Sequence, residues 1–248
     1  MTAFVTQSNA RVLHLLSAAN RGGRIRALAA TFALSAALAC GGSAETIDDG
    51  AAAALREQAA ASELDPRVAA ADTARILGAA DAPIWVIELS DFQCPFCRVW
   101  HETTFSDLKS EFIDSGRIRF AYVNMPLSIH QHAREAAAFA MCAGAQGRFY
   151  EYASALFETQ DHWAAMPSAS AHFSSLAEAA GVDAAEQSAC VQEGVMAGIV
   201  DADYARASGA GVRSTPSFIV GNQLLGGVQP IERLRSAIEA AEAAAATP

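Results

Sequence analysis

Cys94 and Cys97 stand three residues apart in the run Asp91-Phe92-Gln93-Cys94-Pro95-Phe96-Cys97-Arg98. Two thiols at that spacing can close a small disulfide and open it again. The apolar run 84–89 before them reads as a buried strand, and the segment to about Phe112 reads as a helix. A helix N-terminus presents unpaired N–H groups and partial positive charge, which favour the thiolate of the first cysteine. That thiolate is the nucleophile of disulfide exchange. Pro95 suits the first helical position, where no N–H is needed. Two blander assignments compete with redox chemistry. A zinc site needs a second pair of ligands at matching spacing. Cys40, Cys142 and Cys190 stand alone, and His130 and His132 share no finger spacing with Cys94 and Cys97. A structural staple of this span closes a tiny loop and gains little from loop entropy. The spacing therefore points to a reactive pair, with no metal and no organic cofactor implied.

The elements that must position this pair follow from periodicity and turn residues. Gly78 and Asp81-Ala82-Pro83 mark a turn before the strand at 84–89. A helix over 95–114 carries Phe105, Leu108 and Phe112 on one face, and Ser115-Gly116 ends it. Ile118, Phe120 and Tyr122 alternate in a second strand, 118–124. From about 130 to 208 the signals are almost all helical, over 132–146, 149–160, 169–180 and 184–206, with Asp183 as an N-cap. Strand character returns at 217–220 and 223–225 across the hairpin signal Gly221-Asn222. A last helix spans about 230–245. Trp85, Trp100, Phe149, Tyr150, Tyr152 and Phe157 read as core aromatics, and His101, one turn past Cys97, reads as a surface histidine.

The 248 residues suffice for one large domain or a domain with an insertion, and the formal charge is −10. The first 40 residues hold Arg11, Arg21, Arg24 and Arg26 and no acid, so the remainder carries 13 basic against 27 acidic residues. Such acidity makes nucleic acid a poor partner and is accounted for by solubility. Residues 27–39 form an apolar run behind arginines, too short to span a bilayer comfortably and matching the core of a secretory signal. Residues 1–40 are thus expected to be a signal sequence. It ends either at an ordinary cleavage site, Ala37-x-Ala39, or at a lipoprotein box with Cys40 as the lipidated residue. Gly41-Gly42-Ser43 opens an expected flexible tether, 41–72. Five cysteines are an odd number for an exported chain. With Cys94 and Cys97 paired and Cys40 lipidated, Cys142 and Cys190 remain, either as a disulfide or as two buried small side chains.

The order strand, CPFC, helix, strand, helical block, hairpin and helix resembles the thioredoxin superfamily, and the block resembles its DsbA-like branch. Three motifs carry the likeness over roughly 73–245: DFQCPFCRVW; Ala140-Met141-Cys142-Ala143 followed by Gln146-Gly147-Arg148-Phe149-Tyr150; and Gly211-Val212-Arg213-Ser214-Thr215-Pro216-Ser217-Phe218. The resemblance implies an α/β thioredoxin fold over 73–248 with an all-helical insertion at about 130–208. It implies a Cys142–Cys190 disulfide and a cis Thr215–Pro216 bond facing Cys94, with Thr215 and Pro216 holding a substrate strand. On the residues alone, a trans turn proline is the ordinary reading. Glu88, six before Cys94, resembles the family's buried acid beneath the second cysteine, where burial would raise its pKa and let it move a proton for Cys97. The alternative is an edge-strand acid facing water. Pro95-Phe96 departs from the Pro-His dipeptide of the most oxidising relatives, and Phe96 offers the Cys94 thiolate neither charge nor hydrogen bond.

The expected function is an exported thiol–disulfide oxidoreductase of the cell envelope, acting mainly as an oxidant of protein substrates. Cys94 would exchange with substrate, Cys97 would release it, and a membrane redox partner would recycle the pair. A reductase or isomerase of the same fold, or a non-catalytic peptide-binding module, is the alternative.

Overall fold

A computed structural model of the chain describes residues 65–246. The expected signal sequence and most of the expected tether lie outside these residues. The tether itself is corrected at its end. Helix α1 (Pro66–Ala74) begins at 66, with the Asp65 carboxylate accepting from the Arg67 N–H and Pro66 in the first turn. Ala71 on this helix is fully buried. Small side chains let α1 lie close against the helical block: Gly144, a residue without a Cβ, sits beside the Ala71 backbone.

The sheet has five strands in the order β1-β3-β2-β4-β5. They are β1 (Ile76–Leu77), β2 (Ile84–Ser90), β3 (Ile118–Asn124), β4 (Ser217–Val220) and β5 (Gln223–Gly226). β2 and β3 are parallel, and the remaining pairs are antiparallel. The two-residue β1 was not expected; it is too short to show any period. It turns at Gly78 (φ +94°), where a Cβ would stand 2.3 Å from the Ile118 carbonyl oxygen, so only glycine fits.

β2 lies at the centre between β3 and β4, covered on both faces. Alternation along it sends Ile84, Val86, Glu88 and Ser90 to one face and Ile87 and Leu89 to the other. Ile84 and Val86 join Trp100, Leu108, Phe112, Phe120, Phe218, Leu234 and Ile238 in one core. Ile87 and Leu89 join Ala121, Val123, Ala207 and Val212 in a second. Helix α2 (Pro95–Trp100) covers the first face. It continues to residue 113 through two π-type turns, His101–Phe105 and Lys109–Ile113, flanking Ser106–Leu108. Helix α9 (Ile231–Ala246) lies on the same face.

Between β3 and β4 stand six helices: α3 (Ala133–Gly144), α4 (Phe149–Glu158), α5 (Gln160–Trp163), α6 (Ser170–Ser175), α7 (Ala184–Gln192) and α8 (Ala197–Gly209). The single helix expected over 184–206 is two, separated around Gly194 (φ +66°), a left-handed residue that ends a helix. The block has its own core, built on Phe139, Phe149, Tyr152, Leu156, Phe157, Trp163 and Phe173, and this core runs on to Phe92, Cys94 and Cys97. The helical insertion is thus packed directly against the cysteines.

Candidate active site

Cys94 is the N-cap of α2 and Pro95 its first residue. The Cys94 carbonyl accepts from the Cys97 and Arg98 N–H groups at 3.1 and 3.2 Å, and Gln160 Nε2 on α5 donates to the same oxygen at 3.0 Å and to the Phe92 carbonyl at 2.6 Å. The two sulfurs are free thiols. Cys97 is fully buried and Cys94 is 4% exposed, whereas Phe96 between them is 63% exposed. Little of Cys94 is therefore open to solvent. The Thr215–Pro216 peptide is cis, and the Cys94 thiol donates to the Thr215 carbonyl at 3.4 Å. Position 215 stands two residues before β4, which pairs antiparallel with β2, so the sheet itself brings Thr215 to the cysteines.

The two thiols are electrostatically unequal. The Cys94 pKa is held down to about 6, chiefly by the hydrogen bond from the Cys97 thiol, with Thr215 and the N–H groups of Cys97 and Phe96 adding to it against burial. Burial pushes the Cys97 thiol up, and the charges of Cys94 and Glu88 push it further. The expected contribution of the helix N-terminus appears here as those two N–H groups.

Glu88 is 2% exposed and lies in the central strand, so the edge-strand reading does not hold. Burial raises its pKa to about 8, and the Ser90 hydroxyl offsets this in part. In the β2–β3 register Glu88 stands opposite Tyr122. Glu88 Oε1, Ser90 Oγ and the Tyr122 hydroxyl are all buried and lack partners of normal hydrogen-bond geometry. They form a polar patch under Cys97 inside an otherwise apolar layer. Ser90 and Tyr122 were not singled out in the sequence; alternation from Glu88 was the signal that would have found Ser90.

Asp91 was also passed over, although it opens the CPFC motif. Its carboxylate is fully buried. It accepts from the N–H groups of Gln93 and Leu127, each at 2.8 Å, and pairs with His130 Nδ1 at 2.7 Å. Its backbone carbonyl holds the Cys94 N–H at 3.0 Å, and its own N–H points at Cys97 Sγ at 3.5 Å. His130, weighed in the sequence only as a zinc ligand, is thus tied into the cysteine turn. His132 is not, since its ring contacts the Met166 carbonyl and the Gln131 amide. His101 is not a surface residue. Its ring lies between Phe105 and Phe157 and shares a hydrogen bond with Ser154 Oγ at 3.2 Å. Burial lowers its pKa to about 4, so it carries no charge toward the thiols at neutral pH. Cys142 on α3 and Cys190 on α7 are joined by a disulfide, with Cα atoms 5.9 Å apart. Cys40 lies outside the described residues.

A strand-borne CxxC at a helix mouth, a cis-proline loop against its first sulfur and a helical block between strands define a DsbA-like member of the thioredoxin superfamily. A family profile described as thioredoxin matches residues 70–240, and the chain belongs to that family. Disulfide bond formation protein D of Bacillus subtilis is 40% identical over 50 residues, 20% of this chain and 22% of that one. The chain therefore aligns with about a quarter of the length of the curated Bacillus relatives it matches. Oxidised BdbD of Bacillus subtilis superposes with a TM-score of 0.60 at 23% identity, over 67% of this chain and 91% of that one. The α-DsbA1 of Wolbachia pipientis gives 0.61 at 21% identity, over 69% and 92%. These likenesses carry the fold.

Proposed function

We propose that the protein is an exported thiol–disulfide oxidoreductase that donates its Cys94–Cys97 disulfide to protein substrates. The observation that carries this reading is the inequality of the two thiols beside the Thr215 carbonyl. A substrate thiolate attacks Cys94 Sγ, the Cys94–Cys97 bond breaks, and its electron pair leaves on Cys97. Glu88, mostly protonated at neutral pH because burial holds its pKa near 8, supplies the proton that Cys97 takes up. A second substrate thiolate then attacks the substrate sulfur of the mixed disulfide. Cys94 leaves as a thiolate, and a low pKa makes it a good leaving group. Two electrons have moved from substrate to the cysteine pair, and the substrate departs with a disulfide. The backbone of Thr215 and Pro216 is the surface on which an extended substrate would lie. Exposed Phe96 and Val99 on α2 offer it apolar contact.

The N-terminal apolar run supports export to the cell envelope, as does the Cys142–Cys190 disulfide, a bond that persists in oxidising compartments. Lipidation of Cys40 would hold the domain at a membrane beside a redox partner that re-oxidises it. Among the described residues no helix is long and apolar enough to cross a membrane. Cys40→Ser is expected to release the protein from the membrane fraction, which fractionation of expressing cells would read.

The decisive test mixes the oxidised protein with a reduced, unfolded disulfide protein and follows loss of substrate thiols. Given a disulfide-bonded substrate instead, reduced Cys97→Ser is expected to accumulate the mixed disulfide on Cys94 as one substrate thiolate leaves, and Cys94→Ser is expected to abolish exchange. No exchange by the unaltered protein would leave a peptide-binding module. Exchange with a dithiol-favouring glutathione equilibrium as weak as that of an ordinary thiol pair would leave a reductase.

A further inference from the structure

The cysteine turn carries a buried negative charge close to where the mechanism generates another. The Asp91 carboxylate is fully buried, one residue before Phe92, and its backbone carbonyl anchors the Cys94 N–H. Left bare, it would oppose a thiolate on Cys94 and one on Cys97. Like charges brought together in a poorly solvated site disfavour the ionised form. The dipeptide between the cysteines offers no remedy, because Phe96 is neutral and turned outward. Relief comes instead from the loop after β3. That loop is bonded to the segment just before the cysteines: Leu127 donates its N–H to Asp91, His132 donates its N–H to Gln93, and the His130 ring closes on the same Asp91 carboxylate oxygen at 2.7 Å.

We propose that the His130 imidazolium, fixed by Asp91, is the positive charge that stabilises the Cys94 thiolate, supplied from a separate loop rather than from between the cysteines. His130 is an electrostatic partner of the thiolate and a positioning residue for the exchange reaction. The proposal deepens the reading of Cys94 as the exchanging sulfur and rests on it. The other charged groups around the site are committed elsewhere. Arg98 pairs with Asp161 at 2.5 Å and approaches Glu102, Glu88 acts on Cys97 and Tyr122, and His101 is neutral. The ionisable groups acting on the His130 ring are Asp91, in direct hydrogen bond, and Cys94, through charge alone; both raise its pKa against burial, Asp91 through the hydrogen bond most of all. Coupling of this kind is reciprocal: what the imidazolium does for the thiolate, the thiolate does for the imidazolium.

Reciprocity supplies the test. In the reduced protein, thiolate absorbance and alkylation rate are followed against pH for the unaltered protein and for His130→Gln, His130→Lys and Asp91→Asn/His130→Gln. His130→Gln is expected to raise the Cys94 pKa by about one unit or more, the scale of losing an opposite charge at close range. The glutathione equilibrium is expected to move about tenfold toward a weaker oxidant. His130→Lys keeps a cation there and is expected to restore the low Cys94 pKa. The double variant removes both charges and is expected to lie nearer the unaltered protein than His130→Gln does. In the unaltered protein, the His130 ring observed by NMR is expected to titrate at higher pH in the dithiol form than in the disulfide form. A folded His130→Gln protein with an unshifted Cys94 pKa would overturn the proposal. So would a His130 titration indifferent to the redox state of Cys94, a measurement that needs no variant. Absence of glutathione exchange in the unaltered protein would instead sink the oxidoreductase reading.

Discussion

Cys94 and Cys97 are the same residue type three positions apart, and the fold makes them chemically different. One caps a helix and receives hydrogen bonds. The other is buried above a carboxyl group that shares its low-dielectric layer. Glu88 is the residue whose energetics can be read most directly. Its folded pKa, near 8, lies above the value of about 4.5 expected unfolded, so the folded state binds the proton more tightly. The penalty for Glu88 is absent below the unfolded value and grows as pH rises towards 8, where it levels off. Glu88→Gln is therefore expected to match the unaltered protein in urea near pH 4.5 and to be more stable by on the order of 3 kcal/mol at pH 7. Urea midpoints at several pH values would check this. The same variant is expected to slow formation of the mixed disulfide, because the departing Cys97 loses its proton donor. Glu88 was legible in the sequence as an acid among apolar neighbours, but the choice between edge and centre was not. That choice depends on β4 pairing with β2 from over 120 residues away.

At the scale of elements, the helical block is held to the sheet by devices that the local sequence did not advertise. Arg75, just after α1, is 1% exposed and pairs with the equally buried Asp203 on α8 and with Asp72. Asp203 also accepts from the Asn124 side chain at 2.8 Å and from Arg206 at 2.7 Å. This network joins the segment entering the domain, the end of β3 and the helix leading to the cis-proline loop. Asp203→Ala leaves a buried guanidinium poorly compensated and is expected to cost about 3–5 kcal/mol by urea denaturation. The Cys142–Cys190 bond closes a loop of 48 residues between α3 and α7. Replacing both cysteines by alanine is expected to cost about 4 kcal/mol on the loop-entropy account. The Cys94 pKa should not move, because the bond does not touch the site. The cysteines were visible as an unassigned pair, whereas nothing in the local sequence around Arg75 and Asp203 marks them as buried partners.

For the whole molecule, redox state and stability are linked. The folded pKa of Cys94 lies near 6, below the ordinary thiol value near 9. A depressed acid stabilises the folded dithiol form above the unfolded value, and that stabilisation is lost as pH falls from about 9 through 6. The dithiol protein is expected to gain stability relative to the disulfide protein across that window, and to exceed it at neutral pH if the pair is oxidising. Parallel urea titrations of the two forms would measure it. The reverse order would mark a reductase. Molecular charge belongs to this scale as well: the acidic surface favours solubility, whereas the field at the cysteines is set by the few groups packed around them.

The chain by itself determined the order of the four longer strands and the helical stretches between them, the reactive pair, the helix start at Pro95 and the family motifs, because these depend on residue type at short spacing. It also carried enough to mark Glu88, Thr215 and Pro216 as candidates. Only the tertiary structure decided that α1 packs rather than dangles, that β2 is central, and that His101 is partly buried and neutral. It alone brought Asp91, His130 and Cys94 together. Those outcomes rest on contacts between segments remote in sequence, and burial and electrostatic coupling are properties of what surrounds a residue rather than of the residue.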